Sequence, residues 1–390
     1  MIHTILTALD KNSRGKISAV IAQMVDWSQA FDRQCPQQGV QSFIDNGVRP
    51  QLIPILANYF EDRKMVVKFN GVQSSQKALK GGGPQGCSLG ILEYTSQTSG
   101  NFNYIEDDLK YKYIDDASIL EVVNLKEVGL CSYNVWNHVP SDVPIDSHWI
   151  PPDNLQSQIY LDKISDWTRK KKMLLNIDKT KVMIFNYTDL YQFSTRLSIN
   201  GTPLQIIDEA KLLGVIISSD LLWNKNTKNI TRKAYMRMAI LHRLNEYDVP
   251  IEDLVLIYIL YIRSVLEQSA VVWHSSLTEE NRNDLERVQK TALKIILKNK
   301  YHTYESALQR TNLEALDTRR ESLCLNFARK CLKNDVTKNF FPANECGTNC
   351  ETRSPESFDV QHAHTERLRK SPIIYMQHLL NKYERQQGSQ

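Results

Sequence analysis

Apolar residues arrive in short blocks over the first half of this chain and in long helical stripes over the second. Residues 18–27, SAVIAQMVDW, are an apolar run closed by a carboxylate. That is the pattern of a buried strand with Asp26 at its exit. Residues 37–60, QQGVQSFIDNGVRPQLIPILANYF, read as helix in two pieces, broken near Asn46-Gly47 and Pro50. Residues 63–86, RKMVVKFNGVQSSQKALKGGGPQG, predict a β-hairpin turning at Asn70-Gly71 and then a glycine-rich loop. KYKYIDDASILEVV, at 110–123, predicts strand, tight turn, strand. Residues 131–154 hold four prolines and no period, which suits a long loop or insertion. An amphipathic helix is expected over 155–173, followed by strands over 174–185 and 197–218 with a turn at Asn200-Gly201. From about Trp223 the period is helical. Leu285, Val288, Ala292, Ile295 and Ile296 form one apolar stripe, and Leu316, Leu323, Phe327 and Cys331 a second. From about residue 342 the chain is polar and is expected to be irregular.

Length and charge add organisation. At 390 residues the chain exceeds one small core, and two to three domains are expected. Its most apolar run, LVLIYILYI at 254–262, ends at Arg263. It is shorter than the ~20 residues that span a bilayer, so a buried helix is expected and no membrane partner. The first residues lack the features of a secretory signal. Seven cysteines without a framework suit a reducing compartment. An intracellular location, nucleus or cytoplasm, follows as the expectation. Residues 1–159 hold 13 Lys and Arg against 17 Asp and Glu, whereas residues 160–243 hold 15 against 7. An acidic first part beside a basic middle suits a cation-binding site next to a polyanion-binding surface. Solvated helix faces are the other reading of the same charges.

The chemistry centres on YIDDASI. Asp115 and Asp116 are adjacent, and in a regular strand their side chains would point to opposite faces. At a hairpin tip both can lean toward one volume. Two close anions repel and raise a carboxyl pKa; a divalent ion, Mg²⁺ by its taste for hard oxygen ligands, relieves this. Taken alone, the pair is better explained as an exposed acidic turn. Asp26, at the end of its own apolar strand, is the third carboxylate that would complete a two-metal site for in-line phosphoryl displacement. Between them lies GGGPQGCSLG, residues 81–90, with glycines that permit close backbone approach and Gln85 as donor and acceptor.

Taken in order, MVDWSQAFDRQ, GGGPQGCSLG, YIDDASIL, LNIDKTKVMIF and KLLGVIISSDLLW resemble the reverse transcriptases of jockey-like non-LTR retrotransposons, over roughly residues 18–225. The stretch at 266–297 resembles the helical segment downstream of the polymerase in those elements. The resemblance implies an α+β fold of right-hand polymerase type. An antiparallel sheet would form the palm, with helices packed behind it, followed by an α-helical thumb and a C-terminal helical region. The expected divisions are 1–222 for partial fingers and palm, with 131–154 an inserted loop, 223–275 for the thumb, 276–341 for further helices and 342–390 for a polar tail. It implies RNA-directed DNA synthesis on an RNA template from a DNA primer and dNTPs, assisted by two Mg²⁺ ions. Asp26, Asp115 and Asp116 would be catalytic and would hold metal together with the Trp27 carbonyl. Phe31 would be the ring that excludes a ribose 2′-OH by clash. Gln85, Gly86 and Lys179 would line the nucleotide, Lys179 as a general acid near the leaving pyrophosphate. Tyr113 and Ile114 would meet the primer end, and Lys211, Leu212, Leu213 and Gly214 would grip the primer.

The chain departs from the family at two places. ILEYTSQTSGN follows Gly90 where the family has an apolar run. Only 25 residues precede Asp26, which leads to the expectation of an N-terminally truncated fragment. A catalytically inactive nucleic-acid-binding remnant and a two-metal nuclease are the competing functions; the nuclease needs a water-positioning base that the sequence does not offer. Cys346, Cys350, His362 and His364 are loosely spaced like zinc ligands. RKKK at 169–172 suits nucleic acid, a nuclear signal or a solvated helix face. His274 reads as a packed or surface histidine.

Overall fold

The computed structural model describes residues 1–10, 18–79, 81–125, 148–149, 153, 155–187, 193–344 and 357–387. Nearly all of the expected 131–154 insertion, and both Cys346 and Cys350, lie outside the described residues. His362 and His364 lie within them, with ring centroids 4.6 Å apart.

The chain divides into two compact units, one made of residues 16–207 with Met1, the other of residues 2–15 with 208–390. The first is built on a five-stranded sheet, numbered here β1 Ser18–Val25, β2 Lys110–Tyr113, β3 Asp116–Asn124, β4 Lys181–Phe185 and β5 Gln205–Ile206. Their spatial order is β5-β4-β1-β3-β2. Pairing of β1 with β3 runs antiparallel from Ser18 opposite Asn124 to Val25 opposite Ala117, and β4 pairs antiparallel on the other side of β1. Both faces of β1 are buried: Ala19, Val20, Ile21 and Ala22 have no exposed surface. A strand covered on two sides reads as a continuous apolar run, which is why SAVIAQMV does not alternate.

The sheet is mixed, which corrects the expectation of an antiparallel one. β5 runs parallel to β4, with Gln205 opposite Lys181. A parallel neighbour needs a crossover connection. Here the path from Phe185 to Gln205 includes the hairpin Ser198–Ile199 with Thr202–Pro203. Asn200 and Gly201 turn that hairpin with φ of +51° and +79°, the left-handed pair that a two-residue turn of this hand requires. The strand expected over 174–185 is shorter than its pattern. Residues 176–180 fold into a turn, Thr180 N–H donating to the Asn176 carbonyl at 2.8 Å, and β4 begins at Lys181.

Two helices, Ser88–Gln97 and Gln156–Lys170, contribute to the core of this unit. Tyr94, Leu161 and Ile164 bury fully among Ile21, Ile119 and Val123 of the sheet.

The second unit is almost wholly helical beyond its first hairpin, Glu209–Leu212 paired with Val215–Ser218. That hairpin packs with the Asn224–Arg237 helix, whose Asn226 side chain accepts from Ile216 N–H at 3.1 Å. The division at 207 therefore precedes the boundary drawn at 222 from sequence. The first residues join this unit too: the Ile2–Asp10 helix ends in Asp10, whose carboxylate accepts from the backbone N–H groups of His364 and Thr365 at 3.0 and 2.7 Å.

The 26-residue run Ile251–Ser276 is long and apolar enough, on length and composition alone, to cross a membrane. In the fold Leu254, Tyr258, Ile262 and Leu266 are fully buried while Leu256 and Leu260 are exposed. The stripe expected on the Leu316–Leu332 helix is rotated: Leu316, Arg320, Cys324, Ala328 and Cys331 face inward and Phe327 is exposed. Buried Arg320 decides the rotation. Its guanidinium donates to Asp317 at 3.3 Å and to the Nδ1 of fully buried His274 at 3.4 Å. Burial, with Arg320 alongside, holds the His274 imidazole down to a pKa of about 4. The tail expected to be irregular contains the Pro372–Gln387 helix, because Ile374, Met376, Leu379 and Leu380 find a core to enter.

Replacing fully buried Ile21 with Ala is expected to cost about 2–5 kcal/mol, the range for truncating a packed aliphatic side chain. Val122→Ala, at a 41 % exposed position of β3, is expected to cost under about 1 kcal/mol. Equilibrium urea unfolding of both variants checks this assignment of strand faces.

Candidate catalytic site

Register builds this site. The last pair of β1 and β3 is Val25 with Ala117, so the next residue of β1, Asp26, comes level with Asp116. β2 and β3 close as a hairpin at Tyr113 opposite Asp116, leaving Ile114 and Asp115 as its two turn residues. Ile114 has φ +58°, a conformation costly for a β-branched side chain. The hairpin is therefore as tight as two residues allow, and it carries Asp115 and Asp116 round to the Asp26 side.

The electrostatics follow. Burial raises the Asp26 pKa above the ordinary carboxylate range; Lys179 opposes the rise, and the negative charges of Asp115 and then Asp116 add to it. Asp116 is raised as well, by burial and by Asp115. One Asp26 oxygen, Oδ2, is buried without a hydrogen-bond partner. Buried carboxylate oxygens are ordinarily satisfied, and this oxygen and its two anionic neighbours form a set of hard oxygen donors. The donor set suits Mg²⁺. The three carboxylates feel one another's charge without being drawn up around one point: among the described residues no three His, Cys, Asp or Glu side chains are gathered as a metal cluster.

The chain on either side of Asp26 is held firmly. Its carbonyl accepts from Asn176 N–H at 2.9 Å, and Ser28 N–H donates to the Leu174 carbonyl at 2.8 Å. Trp27 lies between them as an isolated bridge to Leu175. The flanking residues make the hydrogen bonds of that bridge, so the Trp27 carbonyl is turned away from Leu175. Asp26 N–H donates to Thr180 Oγ1 at 3.3 Å. The Asn176 side chain helps hold the Asp26 pKa down against burial, and its Oδ1 accepts from Lys179 N–H at 3.1 Å. Asn176 thus ties Asp26 to the turn that presents exposed Lys179. Sequence reasoning stopped at Lys179; the hint it passed over was an Asn three residues before it, the spacing of a side chain that caps a turn.

The glycine-rich loop docks on the segment that follows Asp26. Gly83 N–H donates to the Phe31 carbonyl and Gly82 N–H to the Gln34 carbonyl, each at 2.8 Å. Exposed Gln85 donates from Nε2 to Asp32 Oδ1 at 2.9 Å, which commits its amide nitrogen. A Cβ on Gly90 would lie 1.8 Å from the Pro84 carbonyl oxygen. The loop glycines serve its own packing first; at Gly86, φ +82°, nothing lies within 4 Å of that position. Phe31 is half-buried and stacks on Tyr94, with ring centroids 4.9 Å apart and planes 28° apart.

Of the remaining candidates, Tyr113 is 61 % exposed at the hairpin end and Ile114 packs partly against the core. Lys211, Leu212, Leu213 and Gly214 belong to the other unit. Lys211 and Leu212 lie on a strand, while Leu213 and Gly214 form its turn with φ of +46° and +89°.

Beneath the loop lies Glu93, with no exposed surface and with Oε2 unpartnered, beside Gln34, whose amide nitrogen and oxygen are both unpartnered. Burial pushes the Glu93 pKa up to about 7, against the pull of Arg63. The folded value exceeds the ordinary one of 4.5, so the fold favours the protonated form. The stabilisation is whole below the lower value and is lost as pH rises through the higher one. Glu93→Gln is therefore expected to raise the melting temperature at about pH 8 while changing it little near pH 5. Thermal melts of both proteins across that range check it.

No protein-family description matches this sequence. Over 298 residues it is 23 % identical to the probable RNA-directed DNA polymerase from transposon BS of Drosophila melanogaster, covering 74 % of this chain and 30 % of that protein. Over 222 residues it is 26 % identical to the RNA-directed DNA polymerase from mobile element jockey of Drosophila funebris, covering 55 % of this chain and 21 % of that protein. The Drosophila melanogaster jockey polymerase is 23 % identical over 227 residues, covering 56 % of this chain and 22 % of that protein. The chain spans less than a third of the length of these curated relatives. With a mixed α+β architecture consistent with a reverse-transcriptase-like domain, its curated homologues are RNA-directed DNA polymerases of Drosophila mobile elements.

Proposed function

We propose that this chain carries the nucleotidyl-transfer centre of an RNA-directed DNA polymerase. In this reading the 3′-hydroxyl of a DNA primer attacks the α-phosphate of a dNTP opposite an RNA template, and pyrophosphate leaves. The observation that carries it is Asp26: a half-buried carboxylate with one buried, unsatisfied oxygen, its pKa raised first by burial and then by the charges of Asp115 and Asp116. The similarity to polymerases from transposon BS and mobile element jockey supports the reading.

Asp26, Asp115 and Asp116, with the Trp27 carbonyl, would hold two Mg²⁺ ions. Bound there, the ions supply the charge that activates an attacking hydroxyl and steadies a leaving pyrophosphate. The chain's own residues do the rest. Strand register sets the backbone of Asp26 level with Asp116, and the tight hairpin places Asp115 next in the chain, so only side-chain rotation remains to bring the three carboxylates to one point. Lys179, whose charge reaches Asp26, offsets part of the negative charge there and can donate a proton to the leaving group. Phe31 blocks the space of a ribose 2′-OH. Gln85 and Gly86 line the nucleotide, Gln85 through the carbonyl oxygen left over from its bond to Asp32. Tyr113 and Ile114 support the primer end, and the 211–214 hairpin grips the primer strand. Such work belongs in the nucleus or cytoplasm.

Primer extension on poly(rA)·oligo(dT) with Mg²⁺ tests the reading. Asp26→Ala and Asp115→Ala are each expected to lower extension by about a thousandfold or more. Extension that survives both changes overturns the assignment.

A further inference from the structure

The backbone of Phe31 and its ring are held by different partners. Its carbonyl is pinned by Gly83 N–H at 2.8 Å. Its ring packs against the core of the sheet, and the aromatic face it meets there is Tyr94, from the Ser88–Gln97 helix, stacked at 4.9 Å. Tyr94 has no exposed surface and belongs to the sheet's own core with Ile21, Ala117 and Ile119. It is an immobile platform under a half-exposed ring. Its hydroxyl makes no hydrogen bond, so the ring is held by packing alone.

We infer that Tyr94 is the positioning residue that sets the sugar selectivity of this site, by holding the Phe31 ring where a ribose 2′-OH would need to be. The inference rests on the polymerase reading and on Phe31 as its discriminating ring. A barrier that works by clash is only as strong as the energy needed to push it aside. For Phe31 the stack with Tyr94 supplies the directional part of that energy, since offset aromatic pairs are worth more than the area they bury. Without the platform Phe31 can turn into a neighbouring rotamer and admit the hydroxyl. Tyr94 touches neither sugar nor phosphate in this arrangement; it acts through Phe31.

The test compares dTTP with ribothymidine triphosphate on poly(rA)·oligo(dT), using the whole 390-residue chain and its Tyr94→Leu and Tyr94→Phe variants. Tyr94→Leu is expected to lower the ratio of kcat/KM values, deoxy over ribo, by about tenfold, the weight of one aromatic stack. The change should lie in the KM of the ribonucleotide, with kcat for dTTP within about threefold of the parent. Tyr94→Phe keeps the ring and is expected to hold the ratio within about twofold. Should Tyr94→Leu melt below the assay temperature, Tyr94→Met keeps the bulk without the flat face and carries the same expectation. An unchanged ratio in the folded Leu or Met variant overturns the inference, as does a loss in Tyr94→Phe equal to that in Tyr94→Leu. Equilibrium binding of the two nucleotides to the primer-bound protein separates the layers. A parent chain that neither extends with dTTP nor prefers it in binding overturns the polymerase reading beneath. A parent that prefers dTTP, with a Leu variant that prefers it equally, overturns the role of Tyr94 alone.

Discussion

The pairing of β1 with β3 is the constraint on which the rest depends. Eight residue pairs in unbroken antiparallel register leave no freedom in where the strand ends fall. A slip of one residue would turn every side chain of β1 to the opposite face. Because both faces of β1 are buried, the sheet alone would tolerate such a slip less badly than most. The hairpin at Ile114-Asp115 and the bridge at Trp27 remove that tolerance, since both sit immediately beyond the last pair. The cost is local: a β-branched residue at positive φ and a carboxylate oxygen buried without a partner. Both costs fall within a few residues of one point, which is where folds commonly store strain for a purpose.

A second layer of unsatisfied chemistry lies under the glycine-rich loop. Gln34, Glu93 and the Tyr94 hydroxyl are all buried with polar atoms unpartnered, and a Cβ at Gly83 would strike the Gln34 side chain. The loop is therefore set down on a polar bed instead of an apolar one. Protonated Glu93 lowers the cost of that bed by removing a buried charge. The glycines are needed because protein backbone and side chains already fill the space beside them, which is a different reason from the approach of a ligand. Gly86, with open space around it, is the loop glycine to which the ligand argument still applies.

In the second unit the same rule appears in a different form. A buried arginine, Arg320, is tied to Asp317, stands near the Trp273 ring and contacts neutral His274. A buried charge with such partners fixes the rotation of its helix more strictly than an apolar stripe can, because leaving it unpaired costs more than exposing Phe327. The apolar spacing of the Leu316–Leu332 helix was therefore misleading by about one position. The polar composition of the last fifty residues misled for a related reason: four inward aliphatic side chains suffice for a helix when a neighbouring core receives them.

The sequence by itself determined the elements whose cause is local. Asn-Gly pairs marked two hairpins, one turning at Asn70-Gly71 between Phe69 and Val72 and one at Asn200-Gly201, the continuous apolar run marked the central strand, and the tight DD hairpin was legible from its neighbours. The order of short motifs pointed to the polymerase relatives. Tertiary structure alone decided which groups those elements bring near Asp26. Asn176, Thr180 and Tyr94 are distant in sequence and ordinary in local pattern, and only strand register and helix packing set them beside the site. The parallel edge strand and the inward arginine belong to the same class. Each is chosen by the balance of burial against unpaired polar groups across elements, a balance that no window of neighbouring residues contains.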